Sequence, residues 1–291
     1  MAATDRRLGY ALVGPLVVLL LAVTAYPLIY NLWNSFHHVN LSIVGPRAFA
    51  GVSNYSKMFG SSDWVSALER TAAFTAVSVF LETLFALGLA LMLHRRFRGR
   101  GILRAAILIP WAVPTVVSAT LWKTMFDPRS GFVDYLLGKA GLPGAHTTWL
   151  AGTWTSWTAI FVADAWKNVP FIAIILLAGL QVIPGEVYEA ARVDGANAWQ
   201  SFRRMTLPLL RPALAVALIF RTLQAFLVFD VIYIMTGGGP GVSTETLSYL
   251  NWQEFLVNTD FGYGGAQAVI LVVIALLIAG VYVRVLRPAT T

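Results

Sequence analysis

Long apolar segments separated by short polar loops dominate this sequence of 291 residues. An α-helix needs about 20 apolar residues to cross the hydrocarbon core, where its backbone must satisfy its own hydrogen bonds. Six segments meet this requirement, at residues 9–36, 71–94, 102–125, 157–180, 212–236 and 265–286. They predict an all-α, polytopic membrane protein with six transmembrane helices. Because no internal repeat or low-complexity linker separates them, we predict a single transmembrane domain over residues 1–291.

The composition supports a bilayer protein and argues against other classes. Hydrophobic residues make up 57% of the chain and charged residues only 12%, about half the charged fraction of a soluble domain. The absence of cysteine excludes a disulfide framework and a thiolate metal site. The net charge of +7 could indicate nucleic-acid binding, but the basic residues lie in short loops between apolar segments. Because that placement is typical of membrane orientation, we expect membrane lipid and no nucleic acid as a partner.

Arginine is distributed unequally between the two sides of the predicted bundle. Thirteen basic residues, all arginine, fall on one side: Arg6, Arg7, Arg95, Arg96, Arg98, Arg100, Arg104, Arg192, Arg203, Arg204, Arg211, Arg284 and Arg287. The other side has Arg47, Lys57, Arg70, Lys123, Arg129 and Lys139, spread over longer loops. The positive-inside rule therefore predicts that both termini and the loop 181–211 are cytoplasmic. We expect a multi-pass protein of a bacterial plasma (inner) membrane. Its first apolar run is too long for a signal peptide and is expected to be retained.

The predicted cytoplasmic loop 181–211 has more internal structure than a simple connection. Pro184 breaks the fourth span, and a helix over 186–193 is expected to end near Gly195, which can adopt left-handed geometry. A second helix is predicted over 198–206. Its apolar stripe consists of Trp199, Phe202 and Met205, and Pro208 and Pro212 are expected to end it and to begin the fifth span. The loop is thus predicted to form a helix–turn–helix elbow at the membrane surface.

The residues of this elbow resemble the EAA loop of ABC importer permeases. The matching positions are Glu189-Ala190-Ala191, Gly195 and Leu207-Pro208, and Met205 stands where the family has isoleucine. In that family the elbow is the coupling helix that sits in a groove of the ATPase subunit. The resemblance implies a polar contact of Glu189 with the ATPase, close approach at Ala190 and Ala191, and a turn at Gly195. Asp194, Leu207 and Pro208 belong to the same implied coupling surface.

A different interpretation of the elbow is an amphipathic helix that rests on lipid headgroups. That interpretation explains Trp199 and Phe202 but not the combined spacing of the glutamate, the glycine and the Leu-Pro pair. The resemblance further implies a second permease subunit, two ATPase subunits, an extracytoplasmic substrate-binding protein and a sugar substrate. ATP and magnesium would bind to the ATPase subunits, so we expect no cofactor, no catalytic residue and no metal site on this chain.

Other stretches resemble the carbohydrate-uptake branch of these permeases. They are Phe49, Gly51 and Asn54-Tyr55 before the second span, Trp166 to Phe171 in the fourth, and Thr236 to Pro240 followed by Ser243-Thr244 after the fifth. The branch usually has Asn-Thr where this chain has Arg70-Thr71. The resemblance is closest to the six-span permeases of maltose, glycerol-phosphate and trehalose importers. It implies import of a di- or oligosaccharide such as trehalose or maltose, with glycerol-phosphate or another small solute as the alternative.

Polar residues inside the predicted spans are candidates for the substrate path, because such residues are costly in lipid and usually face a cavity or one another. Asp164, Lys167 and Asn168 share one face of the fourth span by their spacing. In the fifth span the candidates are Arg221, Gln224, Phe229 and Asp230. They could supply the hydrogen-bonding and aromatic groups that bind neutral sugars.

Structural roles remain open for the same residues. Asp164 and Lys167 could form an ion pair, and Asp230 could lie near the outer interface or pair with the partner permease. Glu82, the isolated acid of the second span, is interpreted as a packing or gating contact.

The sequence lacks the features of an ATPase, of a CDP-alcohol phosphotransferase and of an ion-coupled secondary transporter. The chain has no phosphate loop, since Gly131 to Lys139 has the wrong spacing and Ala140 follows the lysine. ATP hydrolysis must therefore come from another chain. Asp194-Gly195 begins like a CDP-alcohol phosphotransferase motif, but Trp199 replaces its arginine. An ion-coupled secondary transporter would predict inverted repeats and broken helices, and the sequence pattern indicates neither.

Overall fold

The computed structural model describes residues 2–43, 47–95, 97–144 and 147–286. In this part of the chain four helices are long and apolar enough to cross a membrane: Tyr10–Ser35, Ser62–His94, Thr153–Val182 and Phe261–Arg284. Two bent helix pairs bring the number of candidate spans to as many as 6. The prediction of an all-α polytopic membrane protein is therefore confirmed.

The helices follow the chain in a simple order. They are α1 (Ala2–Ser35), α2 (Ser53–Phe59), α3 (Ser62–His94), α4 (Arg100–Ala106), α5 (Ile109–Ala112), α6 (Thr115–Met125), α7 (Phe132–Lys139), α8 (Thr153–Val182), α9 (Gly185–Val193), α10 (Ala198–Ser201), α11 (Leu207–Leu209), α12 (Arg211–Phe226), α13 (Asp230–Met235), α14 (Leu247–Trp252) and α15 (Phe261–Leu286). Two π-helical segments, Phe202–Thr206 and Gln253–Val257, follow α10 and α14. The short helices α2, α7 and α14 lie in the loops that the sequence places on the outer side.

The prediction of unbroken third and fifth spans was wrong. The pair Arg100–Ala112 and Thr115–Met125 bends by 91°. Val113 has extended geometry, with ψ of 132°, because the residue before a proline is disfavoured in the helical region and Pro114 follows it. The predicted fifth span, 212–236, is divided as well: α12 ends at Phe226 and α13 begins at Asp230.

Pro208 was also wrongly expected to end the second helix of the elbow. Helical structure continues from Ala198 to Leu209, and the 66° bend comes after it, before α12. The π-helical segment Phe202–Thr206 widens the helix just ahead of Pro208, and the Leu207 amide donates back to the Phe202 carbonyl. A π-turn of this kind lets the helix accommodate the missing proline N–H without stopping.

Contacts divide the chain into two compact units, and the first consists of Met1–Val65 and Leu250–Val273. Asn54 is buried in this unit, and its side-chain amide donates to the Ser35 and His37 carbonyls at 2.9 and 3.0 Å. The hydroxyl groups of Tyr55 and Ser35 are 2.7 Å apart. The Asn54-Tyr55 pair therefore fastens α2 to the end of α1. Whether the whole chain is one domain stays a prediction.

The second unit consists of Ser66–Tyr249 and Ile274–Thr291, and its apolar core lies between α3, α8 and α12. The core members are Ala86, Ala90 and Leu93 of α3, Ile172, Ala173, Leu176, Leu177 and Leu180 of α8, Ala217 of α12, and Leu210, which precedes α12. Alanine is frequent in this set because small side chains let membrane helices approach closely. The core lies toward the arginine-rich ends of the three helices.

Arg70, the departure from the sugar-permease pattern, has a structural role in the second unit. Its Nε donates to the Glu245 carbonyl at 2.8 Å, and its guanidinium lies 3.8 Å from the Glu245 carboxylate. The neighbouring Thr71 hydroxyl accepts the Leu247 amide at 2.9 Å. The Arg70-Thr71 pair thus holds the start of α14 against α3.

Gly179 offers a test of the packing between α8 and α12. A Cβ at this position would overlap the Cβ of Ala213 and lie 2.9 Å from the Leu210 Cδ1, whereas a Cβ at Gly88 would have nothing within 4 Å. We expect Gly179→Ala to destabilise the protein by about 1–3 kcal/mol through overpacking, and Gly88→Ala to be neutral or slightly stabilising. Thermal unfolding of the detergent-purified protein measures both changes, and equal melting temperatures would contradict the close contact.

Candidate functional site

A buried cluster of charged residues joins three spans of the second unit. Arg221 of α12 pairs with Glu82 of α3 and with Asp164 of α8. Its Nη2 donates to Glu82 Oε1 at 2.9 Å and to the Ser78 hydroxyl at 2.6 Å. The exposed fractions of Arg221 and Glu82 are 3% and 1%. The buried guanidinium is therefore hydrogen-bonded by two carboxylates and a hydroxyl group, which are contributed by two other helices.

Ser78 completes the cluster from one helical turn before Glu82. Its hydroxyl lies 3.0 Å from Glu82 Oε1 and 3.0 Å from Asp164 Oδ2. The cluster thus contains two carboxyl groups and one guanidinium. Burying these ion pairs costs desolvation free energy, and their attraction offsets this cost only when every polar group of the cluster is hydrogen-bonded.

A cavity of about 240 Å³ lies beside this cluster. Its walls include all seven residues predicted for the substrate path: Asp164, Lys167, Asn168, Arg221, Gln224, Phe229 and Asp230. Arg221 and Gln224 were expected on one face of the fifth span and Phe229 and Asp230 on another, and the structure brings both pairs to the same cavity as the fourth-span residues. Contact between these residues and a transported solute remains a proposal.

The main interactions of Lys167 are hydrogen bonds to backbone carbonyls and not an ion pair with Asp164. Its Nζ donates to the Trp111 carbonyl at 3.3 Å and to the Val113 carbonyl. Both carbonyls belong to the break between α5 and α6, where no helical N–H reaches them. The structural alternative in which Asp164 and Lys167 form a direct pair is therefore wrong: Asp164 pairs with Arg221 and accepts the Asn168 amide at 2.8 Å.

Both helix breaks open onto the same cavity. Trp111 and Thr115 flank the first break, Leu227 to Phe229 form the second, and all of them line the cavity. Irregular backbone at membrane depth is tolerated where it borders a cavity or is buried in protein. The breaks therefore place irregular backbone beside the cavity, and Lys167 occupies the Trp111 and Val113 carbonyls of the first break.

Two aromatic rings, Trp111 and Phe229, line the cavity, and each packs against further rings outside it. Phe229 lies 5.4 Å from Tyr233 and 6.4 Å from Tyr249 between ring centroids. Trp111 stacks on Phe171 at 4.8 Å with an interplanar angle of 7°. Stacked rings of this kind hold their faces rigidly, and such faces can pack against the C–H surface of a sugar ring.

The elbow that follows α8 forms a second site, separate from the cavity. Gly195 has φ of 76°, so it adopts the left-handed turn expected after α9. Asn197 and Gln200 form a capping box at the start of α10, with both hydrogen bonds at 2.8 Å. The Tyr188 hydroxyl lies 3.1 Å from that of Thr206 and ties the two arms of the elbow together.

Exposure distinguishes two faces of the elbow. Glu189, Ala190, Asp194 and Gly195 are exposed, whereas Ala191 is buried against the elbow itself. Leu207 and Pro208 are partly buried. The resemblance assigned close approach to both alanines, but only Ala190 is exposed on this chain, so the exposed face can accept a partner at Glu189, Ala190 and Asp194.

Sequence reasoning missed several residues at these sites. Ser78 was overlooked as an ordinary small residue, although its position four residues before Glu82 on an apolar helix is a detectable signal. Trp111 and Thr115 were missed because the helix break that aims them into the cavity was not predicted. Among the residues described, no group of three or more His, Asp or Glu side chains could hold a metal ion.

The fold and the two sites define a transport subunit with an intramembrane polar cavity and a surface elbow. Comparison with known proteins agrees: residues 83–291 match the family of binding-protein-dependent transport system inner membrane components. A trehalose/maltose transport system permease of Thermococcus litoralis is 40% identical over 97% of this chain and 95% of its own length. The trehalose transport system permease of Mycobacterium tuberculosis is 38% identical over 98% and 90%.

A solved structure has the same fold at lower sequence identity. It is a crystal structure of a bacterial ABC transporter involved in the import of the acidic polysaccharide alginate, with a TM-score of 0.84 and 24% identity. The alignment covers 99% of this chain and 98% of that one.

This chain belongs to the family of inner membrane components of binding-protein-dependent transport systems. It is the permease component of an ABC importer, a multi-pass inner membrane protein that functions in a complex with a binding protein and other subunits. The chain is therefore not an enzyme, and ATP hydrolysis belongs to partner subunits. This membership excludes the phosphotransferase and the secondary transporter. The broken helices, which were expected only for a secondary transporter, occur in this permease as well.

The charge balance of the buried cluster predicts unequal effects of two substitutions. Arg221→Gln leaves two buried carboxylates without their cation, and removing one partner of a buried pair costs about 3–5 kcal/mol. Glu82→Gln keeps a hydrogen-bonding group and leaves Arg221 paired with Asp164 alone, so its cost is smaller. We expect the melting temperature of the purified permease to fall most for Arg221→Gln. A larger loss for Glu82→Gln would contradict this account of the cluster.

Proposed function

We propose that this chain forms half of the translocation path of a sugar importer and passes a neutral di- or oligosaccharide such as trehalose or maltose. The observation that carries the proposal is the cavity lined by Asn168, Gln224, Asp230 and aromatic side chains. Carboxylates and amides bind hydroxyl groups, and aromatic faces bind the C–H surface of sugar rings.

The cations of the cavity favour a neutral solute over an anionic one. Arg221 is neutralised by two carboxylates, and Lys167 is engaged by two backbone carbonyls. Asp230 adds a further negative charge to the wall. A sugar phosphate would have to compete for cations that the protein already uses. Relatives named for trehalose and maltose transport, similar along nearly the whole chain, support the same choice. Glycerol-phosphate import is the alternative.

The size of the cavity supports a path shared with a second permease subunit. Ligand sites usually enclose about 300–1,000 Å³, and the cavity of this chain measures about 240 Å³. A facing subunit would enlarge it and complete the wall. In the proposed complex the two permeases sit on two ATPase subunits, both termini are cytoplasmic, and an extracytoplasmic binding protein delivers the sugar.

The exposed face of the elbow is proposed to dock in the ATPase. Glu189 and Asp194 would make polar contacts there, Ala190 would allow close approach, and Gly195 would set the angle between the two arms. Leu207 and Pro208 would join the docked elbow to α12. ATP binding would draw the elbows of the two permeases together and switch the cavity from inward- to outward-facing, and hydrolysis would reset it.

Removal of hydrogen-bonding groups from the cavity tests the sugar path. We expect Asn168→Ala and Gln224→Ala each to reduce sugar uptake about 2- to 10-fold, because a hydrogen bond contributes about 0.5–1.5 kcal/mol. Uptake of trehalose, maltose and glycerol-phosphate is measured in proteoliposomes that contain the complete transporter with its binding protein. Thr120→Ala is the control, since Thr120 is exposed on α6 and lies outside the cavity wall. Unchanged uptake by the Asn168/Gln224 double variant would overturn the path, and preferred uptake of glycerol-phosphate would overturn the neutral substrate.

A matched pair of substitutions on α9 tests the coupling surface. Glu189→Ala is expected to lower transport-coupled ATPase activity about tenfold or more, because a hydrogen bond to a charged group contributes about 1.5–3 kcal/mol. Glu186→Ala removes the same charge from the same helix at an exposed position in its first turn, and we expect a small effect. ATPase rates of the reconstituted transporter, with and without loaded binding protein, give the comparison. Normal coupling in Glu189→Ala, or an equal loss in both variants, would contradict the assignment.

A further inference from the structure

A crevice of about 570 Å³ lies between the elbow and the ends of α3 and α8, within the second unit. Leu91 of α3, Leu180 of α8 and Phe202 of the elbow form its apolar wall. His94, Arg95 and Ser201 contribute polar groups to its rim. The crevice therefore combines an apolar interior with a basic opening, a combination that neither ATPase coupling nor the sugar path requires.

The basic rim is reinforced by the neighbouring helix α4. Arg100 and Arg104 lie close enough to act electrostatically on His94, and Arg104 Nη2 donates to the Leu93 carbonyl at 3.0 Å. In the part of the chain that the structure describes, the arginines in ion pairs with carboxylates are Arg70 and Arg221. The positive charges around this crevice are thus not neutralised by the carboxylates described.

Buried polar atoms at the same place also lack partners. His94 Nδ1 and Arg104 Nε are enclosed by protein, and neither has a hydrogen-bond partner among the described residues. Enclosed donors and acceptors are usually satisfied, because a buried polar group without a hydrogen bond has lost its water and gained nothing in return.

The crevice lies at the ends of two membrane helices, the level at which lipid tails meet headgroups. Leu91 and His94 lie in the last turn of α3, which ends at His94, and Leu180 lies two residues before the end of α8 at Val182. Both helices end at the arginine-rich side. A small soluble anion would gain nothing from the apolar wall, whereas a lipid would use wall and rim together.

We propose that an anionic phospholipid occupies this crevice, with its phosphate at the basic rim and the start of an acyl chain against Leu91 and Leu180. Basic pockets between membrane helices at the cytoplasmic surface are suited to such headgroups. Tyr188 lines the crevice, whereas Glu189 and Asp194 are exposed and do not line it. The lipid would therefore support the elbow from the membrane side and leave the proposed ATPase surface free.

Lipid retention by the purified complete transporter tests this site directly. The delipidated complex is titrated with phosphatidylglycerol or phosphatidylcholine, and bound lipid is counted by native mass spectrometry. We expect saturable retention of phosphatidylglycerol over phosphatidylcholine, weakened about fivefold by Arg95→Gln, since one arginine near an anionic headgroup contributes on this scale. Ala198→Phe, which fills the crevice without changing charge, should weaken retention as well.

Arg98→Gln is the matched control because it removes the same charge from the same loop outside the crevice wall. Equal retention in the wild type, Arg95→Gln and Ala198→Phe would overturn the proposal. An equal loss in Arg98→Gln would also overturn it, since general surface charge would then explain binding. Displacement of the lipid by millimolar inorganic phosphate would show a small-anion site instead. The readout does not involve transport, so it is independent of which solute the importer carries.

Discussion

The buried guanidinium of Arg221 is the constraint on which the arrangement of the second unit depends. A charge at membrane depth must be paired, and its partners Glu82 and Asp164 come from positions 139 and 57 residues away in the chain. The spans α3, α8 and α12 must therefore meet at one depth and with one rotation about their axes. Apolar packing alone would allow a helix to slide by a turn, whereas the charge cluster penalises every other register.

The cluster also divides the unit into two layers with different properties. Toward the arginine-rich ends, small and branched apolar residues of the three helices pack closely, and Gly179 allows α12 to approach α8. On the other side of the cluster, α8 and α12 border the polar cavity, and both helix breaks lie beside it. The first break is stabilised there because Lys167 donates to carbonyls that lost their helical donors. In this way the charged residues give the membrane helices a defined register, and the broken helices give them a polar wall.

The sequence was sufficient for those features that depend on local chemistry. Span positions follow from hydropathy and length, and helical spacing places Asp164, Lys167 and Asn168 on one face. The left-handed turn at Gly195 follows from its place after a short helix. Hydropathy could not show which charges meet across helices, so Asp164 was considered with Lys167, its neighbour in the sequence, instead of Arg221. Hydropathy also did not detect the backbone breaks, because an apolar window has the same mean hydropathy whether its helix is continuous or bent. Pro114 was a local signal for the first of these breaks.

The connection between the elbow and the cavity follows from these same contacts. Only Leu210 separates the elbow helix, which ends at Leu209, from α12, which begins at Arg211. Leu210 is fully buried in the apolar core, next to Gly179, so it is suited to act as the pivot of a lever. One arm of that lever is linked through Thr206 and Tyr188 to α9, which bears the face proposed to dock in the ATPase, and the other carries Arg221 and Gln224 into the cavity wall. In the proposed mechanism a displacement of the docked elbow would therefore rotate α12 about this pivot and change the shape of the cavity.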